Sequence, residues 1–383
     1  MNMKLLLIIV IGFLLAGCSG ITVDKEVKVG PDDWVMSGGS AEQHHVSKFT
    51  LAPPLNLYWD YNLEGGVGAS GISVADAVLF VNALQGELFS FDISTGGKIG
   101  NLKFLGKDAS TTPLIIDNNV IVTYAGDKKY SLASYDLLAG KTNWRRYYGD
   151  LQTSPIMKDG SIFFGSLNGN FYKVSLSSGR LEWKFSSKGQ IHSTCAVNSE
   201  IAVFGNDKGK IFGIDPASGS EKWQVETASP VHSTPMLFNG AAYVGCGDSN
   251  YYAINTADGK ILWKVNLHSK ITAGSALFMQ QEIIAACVDG SIYSLNMQDG
   301  SIKWKASTRG AIVSAPLVSG NYIYCSSFDG FIYCLDGTSG SIVWSSELEN
   351  KVKTSPVIWR DFLFTAADEI VYCFTSKNVE KKK

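Results

Sequence analysis

The sequence carries little charge for its length. Asp, Glu, Lys and Arg make up 18% of its 383 residues, below the roughly 25% of an average domain. Most of its strands must therefore face other strands rather than water. Neither sign prevails: 33 basic residues stand against 35 acidic ones, a net charge of −2. No basic stripe runs along any segment, which excludes nucleic acid as a partner. Long apolar runs are also missing. After Leu5 to Leu15 no stretch approaches the 18 or more apolar residues of a membrane-spanning helix. There is no C-x-x-C-H haem motif, and no Ser/His/Asp or Cys/His arrangement stands out. Gly66 to Gly71 fits G-x-G-x-x-G, but Ile72 to Val81 alternates like a strand and not like the helix a dinucleotide site requires.

What the sequence has in abundance is one repeated turn. Asp215 to Trp223 reads DPASGSEKW, and the same frame returns at Asp136–Trp144, Ser175–Trp183, Asn255–Trp263, Asn296–Trp304 and Asp336–Trp344. Asp, Asn or Ser opens it, Gly follows four residues on, and Trp four after that. An Asx or Ser side chain bonds the backbone two residues on, and Gly takes the positive φ that closes the turn. The copy Asp92–Gly100 keeps the turn and lacks the Trp. The period of 39 to 41 residues, with strand-like content between turns, specifies a propeller or similar array.

Each repeat holds a strand opened by a small hydroxyl pair and usually Pro, as in Thr153-Ser154-Pro155, then a hairpin, an aromatic strand, the turn, and the Trp strand. Eight units open near 67, 109, 151, 191, 231, 271, 312 and 352, but fourth strands after them number seven. Asn56 to Asp60, with Trp59, supplies the missing one. The expected fold is all-β: an eight-bladed β-propeller of four-stranded antiparallel blades, its ring closed by the N-terminal strand so that no edge is left at the seam. Trp59, Trp144, Trp183, Trp223, Trp263, Trp304 and Trp344 are its blade anchors. The propeller is expected over 56–376, with a Lys-rich tail at 377–383.

Before it, residues 1–17 read as a targeting segment: Lys4, an apolar run, then Leu15-Ala16-Gly17-Cys18. This ending resembles the bacterial lipobox, which implies acylation of Cys18 and a lipid anchor. Ser19, where an Asp would imply inner-membrane retention, points to the outer membrane, facing the periplasm. Residues 18–55 read as a tether and a docking segment. His44 and His45 lie on a polar stretch without a second ligand pair and read as solvated loop.

The D-x-x-x-G-x-x-x-W turn resembles the repeat of pyrroloquinoline-quinone (PQQ) dehydrogenase propellers. With eight repeats and the lipobox, the chain is similar to the BamB-type lipoproteins of the outer-membrane β-barrel assembly machine, and Trp34-x-Met36-x-Gly38-Gly39 is similar to a segment that often precedes such repeats. The resemblance implies a scaffold without enzymatic activity whose partners are envelope proteins, the β-barrel insertase and its substrates among them. It leaves two alternatives open: a PQQ- or metal-dependent oxidoreductase, and a propeller binding another envelope partner. In the dehydrogenases the cofactor is held with calcium, carboxylates, amides and an Arg or Lys. The positions three before each Pro include Gln152, His192, His232 and Lys353, expected to line the channel, and no carboxylate. No cofactor and no metal are therefore expected, although His192 and His232 occupy matched places in adjacent blades.

Two local expectations remain. Cys325 and Cys334 flank Phe328-Asp329-Gly330-Phe331: a two-residue turn would set them opposite each other within disulfide range, and a longer loop would not. The second repeat has a longer hairpin, Gly126 to Tyr130, and a strand continuing past Trp144. Lys128, Lys129, Tyr130, Arg145, Arg146, Tyr147 and Tyr148 are thereby expected to gather on one face as a partner-binding cluster, Tyr and Arg being common at binding hot spots.

Overall fold

In the computed structural model the chain is described at residues 20–24, 26–103 and 108–378, the side chains of Ala69 and Ser70 excepted. Cys18, and with it the lipidation expectation, lies outside the described residues, as do 379–383 of the tail. Eight blades of four antiparallel strands follow one another around an axis, the seventh taking Val46–Ser47 as a fifth, parallel strand. The third is typical: Ile156–Lys158, Ser161–Gly165, Asn170–Ser175 and Leu181–Ser186, innermost to outermost. In the eighth, Val357–Trp359, Phe362–Ala367 and Ile370–Thr375 receive Asn56–Asn62 as the outer strand. The N-terminal strand closes the ring. Among the described residues no helix is long and apolar enough to cross a membrane.

Two connections of each of the first seven blades, inner to second strand and third to outer, emerge at one end; the others, with the passage to the next blade, emerge at the opposite end. Opposite each anchor position the outer strand carries a β-bulge, as where Gly213 pairs with Trp223 but Ile214 pairs with Glu221. The bulge rotates the Trp out of its own sheet and towards the next blade. There it meets the repeated turn. The Asp215 carboxylate accepts from the backbone of Ala217 and Ser218 at 3.0 and 2.8 Å, and Gly219 sits at φ +75°. A Cβ on Gly219 would stand 2.6 Å from the Trp183 ring. Glycine is thus demanded twice, by φ and by the indole.

The same seam recurs. Indole N–H groups donate to the carbonyl just past the turn's first residue: Trp59 to Ile93 at 2.8 Å, Trp183 to Pro216 at 3.2 Å, Trp223 to Thr256 at 2.8 Å, Trp263 to Met297 at 2.9 Å and Trp304 to Gly337 at 2.9 Å. Trp144 stacks on Gly179 likewise. Trp344 faces the blade built from both chain ends, where no such turn exists, and packs edge-on against Phe374 at 5.9 Å. Nearer the axis the small hydroxyl pairs have an analogous use. Thr112 N–H donates to Ser154 Oγ at 3.0 Å, Ser154 N–H to Thr194 Oγ1 at 3.1 Å and Ala315 N–H to Ser355 Oγ at 3.0 Å, each bond crossing from one blade to the next.

The seam after the first blade lacks its Trp, and the N-terminal segment takes that place. A Cβ on Gly100 would meet Gly20 O at 3.0 Å and Ile21 Cα at 3.3 Å. Ile21 is fully buried, Thr22 lies over the turn glycine Gly140, and Val23 N–H donates to Leu137 O at 3.1 Å. Leu137 is the residue after Asp136, the position that accepts an indole elsewhere. The stretch read as a tether is therefore packed down, with Val27 buried beside it. Its apolar residues alternate with polar ones, so it reads as solvated until the empty seam is recognised.

The cysteines resolve as the longer-loop case. Residues 327–330 connect the strands, Tyr324 pairs with Cys334 and Cys325 with Tyr333. The two thiols thus point to opposite faces of the blade, and all six described cysteines are free and buried. Gly66–Gly71 runs into the strand Val67–Ala75, with no helix after it.

The seam makes a quantitative expectation. Gly160 has φ +76° and open space for 4 Å around the place a Cβ would take, whereas Gly219 has φ +75° against Trp183. Both alanine variants bear the left-handed backbone cost of about 1–2 kcal/mol. Gly219→Ala should lose a further 1–3 kcal/mol or so from overpacking. Urea unfolding of the two variants checks this; equal losses would show that the indole yields freely.

Candidate channel site

Residues 33–49 lie across the axis as a strap, at the end where inner and second strands connect. Asp33 Oδ1 accepts from Trp359 Nε1 at 2.8 Å in the eighth blade. Trp34 bridges Val74 in the first, and Val35 O accepts from Ile115 in the second at 2.9 Å. Glu42 pairs with Lys158 of the third at 3.6 Å. Ala41, Glu42 and His44 carbonyls accept from Val197, Leu237 and Leu277 of the next three blades at 2.8, 3.0 and 2.9 Å. Val46–Ser47 then pairs in parallel with Val318 and Ser319 of the seventh. Inner-strand amides that would otherwise face an open channel are satisfied this way.

The strap repeats the Trp-on-Gly contact internally: a Cβ on Gly39 would stand 2.7 Å from the Trp34 ring, and one on Gly38 would run into Gln43 Oε1. Gln43 Nε2 donates back to Ser37 O at 3.0 Å and Ser40 O at 3.3 Å. These bonds explain the W-x-M-x-G-G pattern as a compact loop that needs two glycines. They also correct the reading of His44 and His45 as solvated. His44 Nε2 lies 2.9 Å from Leu237 O, and His45 is buried.

Above the strap lies a cavity of about 190 Å³. Ser37 and His45 form part of its wall, with Ser110, Gln152, His192, His232 and Thr272 towards the other end. Gln152, His192 and His232 thus line it. Lys353 does not: its Nζ is held by Asp368 at 2.6 Å. The His192 and His232 rings stand 5.0 Å apart between centroids. Burial, then the His192 charge, lowers the His232 pKa, against Asp207, which raises it. Burial first and His44 second push the His45 imidazole down to about 4. Asp108 stands one layer back, accepting from Gln152 at 3.2 Å. Among the described residues no three His, Cys, Asp or Glu side chains group as a metal site would require.

A tricarboxylate cofactor with its calcium needs convergent oxygens for the cation and a positive side chain for the anion. This wall presents hydroxyls, an amide and imidazoles, the one lysine expected in it, Lys353, is committed to a carboxylate, and the strap occupies the floor. The donor set does not fit that group. Sequence reasoning missed the strap's two contributions, Ser37 and His45, because nothing in their spacing relative to the repeats places them over the axis.

The expected partner cluster divides. The second blade's connection spans 124–131, against 166–169 in the third. Tyr130 sits under two cations, Lys129 Nζ at 5.2 Å and Arg145 at 5.7 Å from its ring, and Tyr148 N–H donates to Ser131 Oγ at 2.9 Å. Arg146 and Tyr148 turn the other way, into the seam with the third blade. Arg146 Nη2 donates to Ser178 O at 2.6 Å and Tyr148 Oη to Gly179 O at 2.7 Å, with Tyr148 packed on Phe164 and Tyr172. Lys128, Lys129 and Tyr147 stay exposed.

His45 gives this region a pH signature. Its folded pKa lies below the unfolded 6.5, so the stability it contributes is present above pH 6.5 and is lost as pH falls towards about 4. The span corresponds to about 3 kcal/mol. His45→Gln should flatten the fall of urea-unfolding free energy between pH 7.5 and 5 by up to about 1.4 kcal/mol per pH unit. Parallel curves for the two proteins would place His45 in water.

Against known proteins, the chain matches a family model described as outer membrane protein assembly factor BamB over residues 52–183 and 168–382. No curated protein sequence matches it. Solved structures share its fold. BamB from Moraxella catarrhalis superimposes with a TM-score of 0.67 at 14% identity, over 84% of this chain and 100% of that one. Quinohemoprotein alcohol dehydrogenase from Comamonas testosteroni gives 0.77 at 12% identity, over 92% and 82%. A europium-containing methanol dehydrogenase gives 0.75 at 9% identity, over 90% and 98%. Those likenesses speak for the fold alone, whereas the family match spans the whole ring of blades: this chain belongs to the BamB family of outer membrane protein assembly factors.

Proposed function

We propose that the protein is a lipid-anchored scaffold at the periplasmic side of the outer membrane, held through Cys18, that binds envelope proteins during β-barrel protein assembly. The family match over the whole propeller carries this reading. The channel adds to it: a floor closed by the chain's own strap and walls of hydroxyls leave binding to the outer surfaces. Propeller faces suit that task, since their loops vary while the blades hold them rigid.

On the face opposite the strap, the exposed Lys128, Lys129 and Tyr147, with Tyr130 and Arg145 beside them, form the docking candidate. Arg146 and Tyr148 hold the blade seam and are poor test positions. Lys129→Glu with Tyr147→Ala should leave the fold intact and reduce co-purification of the β-barrel insertase from membranes tenfold or more, about 1.4 kcal/mol. Undiminished capture would remove this face from the interaction.

The second reading, an oxidoreductase, draws on the likeness in fold to the two dehydrogenases. It predicts saturable binding of PQQ in the presence of calcium; the scaffold reading predicts none at micromolar concentration. Titration calorimetry on the purified protein separates them.

A further inference from the structure

The large hydrophobic side chains left exposed are not scattered. Among the described residues, every one of them except Tyr147 lies at the strap end of the propeller. Ile99, Leu181, Ile261, Ile302 and Ile342 start or nearly start the outer strands of five blades, and Leu138 lies in a turn at the same end. Their exposures run from 38% for Ile99 to 48% for Leu181. The opposite end presents charged loops such as those bearing Lys208, Lys270 and Asp329 and, apart from Tyr147, no exposed large hydrophobic side chain among the described residues, whereas at the strap end exposed Lys98, Arg180 and Lys260 alternate with the aliphatic ring. A one-sided apolar ring of this kind marks a contact surface.

The path of the N-terminus says what covers it. Gly20 and Ile21 fill the seam beside Gly100, and Val23 is bonded to Leu137. Ile99 and Leu138, both exposed, are the chain neighbours of those two positions and flank the seam that Gly20, the first described residue, enters. Cys18 is two residues before Gly20, so at most about 7 Å of chain separates their Cα atoms. Acyl chains on Cys18 would therefore hold this rim at the bilayer, with no leash to let the propeller turn.

We infer that the strap end of the propeller is a lipid-contact face, lying on the bilayer surface with its aliphatic ring and the interleaved Lys98, Arg180 and Lys260 at the headgroup boundary and the opposite end directed away. This rests on the anchored reading proposed above. Aliphatic side chains gain by leaving water at such a boundary, and the anchor removes the entropic cost of finding it. The docking candidate around Lys129 then points into the periplasm, free for protein partners.

The test uses cysteine accessibility, which the six buried native thiols permit. Single variants Leu138→Cys, Ile261→Cys and Ile342→Cys probe the strap end, and Lys208→Cys and Lys270→Cys the other. Each is made in the acylated full-length protein on phosphatidylethanolamine/phosphatidylglycerol vesicles and in the Cys18→Ser protein in solution. All five positions are exposed, so folding is not at issue, and a cooperative melt for each variant checks it. Strap-end thiols should react with a bulky, membrane-impermeant maleimide at least tenfold more slowly on vesicles, and loop-end thiols at unchanged rates. Equal rates at both ends, or protection of the loop end, would overturn the lipid-contact face while leaving the anchor intact. Failure of the acylated protein to sediment with vesicles would instead overturn the anchored reading and this inference with it.

Discussion

The structure depends on one contact: an indole from the outer strand of one blade laid on a bare glycine of the next. The Trp provides a large apolar surface and a single N–H, and the turn provides a flat backbone patch and one free carbonyl. Because a β-bulge aims each Trp across the gap, the contact joins blades rather than strands. A propeller blade cannot bury both faces alone, so these seams convert eight marginal sheets into one body. The inner hydroxyls repeat the principle near the axis, where a backbone amide of one blade meets an oxygen of the next.

The exceptions to that contact explain the rest of the molecule. Where the first blade has Gly100 in place of Trp, the N-terminal segment enters, and Val23 makes the hydrogen bond that an indole makes elsewhere. That entry directs the chain over the strap end, into the loop around Trp34 and Gly39, and on around the inner strands before Asn56–Asn62 closes the ring. Closure and plugging are consecutive acts of one segment. They reduce the central channel to a small polar cavity with His45 in its wall.

Burial of His45 illustrates how the strap shapes chemistry. An imidazole on a polar stretch would titrate near its ordinary value, but buried in the strap across the axis its charged form loses solvation, with His44 adding to the effect. The second blade offers the complementary case. Its long connection leaves Lys128 and Lys129 in water, while Arg146 and Tyr148 are spent on the neighbouring blade's carbonyls. Residue type alone marks all four as candidates for a binding surface; packing divides them.

By itself the sequence determined the repeat, the number of blades, the strand order within each and the need for Asn56–Asp60 to close the ring. Those follow from local chemistry: a turn whose Gly and Asx are required by its own backbone, and a Trp at constant spacing from it. Gln152, His192 and His232 were legible for the same reason, since a position fixed relative to the repeat is fixed relative to the axis. Only the tertiary structure decided what stands outside the repeat. The Ile21 contact with Gly100, the strap over the channel, the release of Lys353 to Asp368 and the separation of Cys325 from Cys334 depend on neighbours tens to hundreds of residues away, or on one residue of hairpin length. Periodicity carries no record of such partners, because each arises where the repeat is broken.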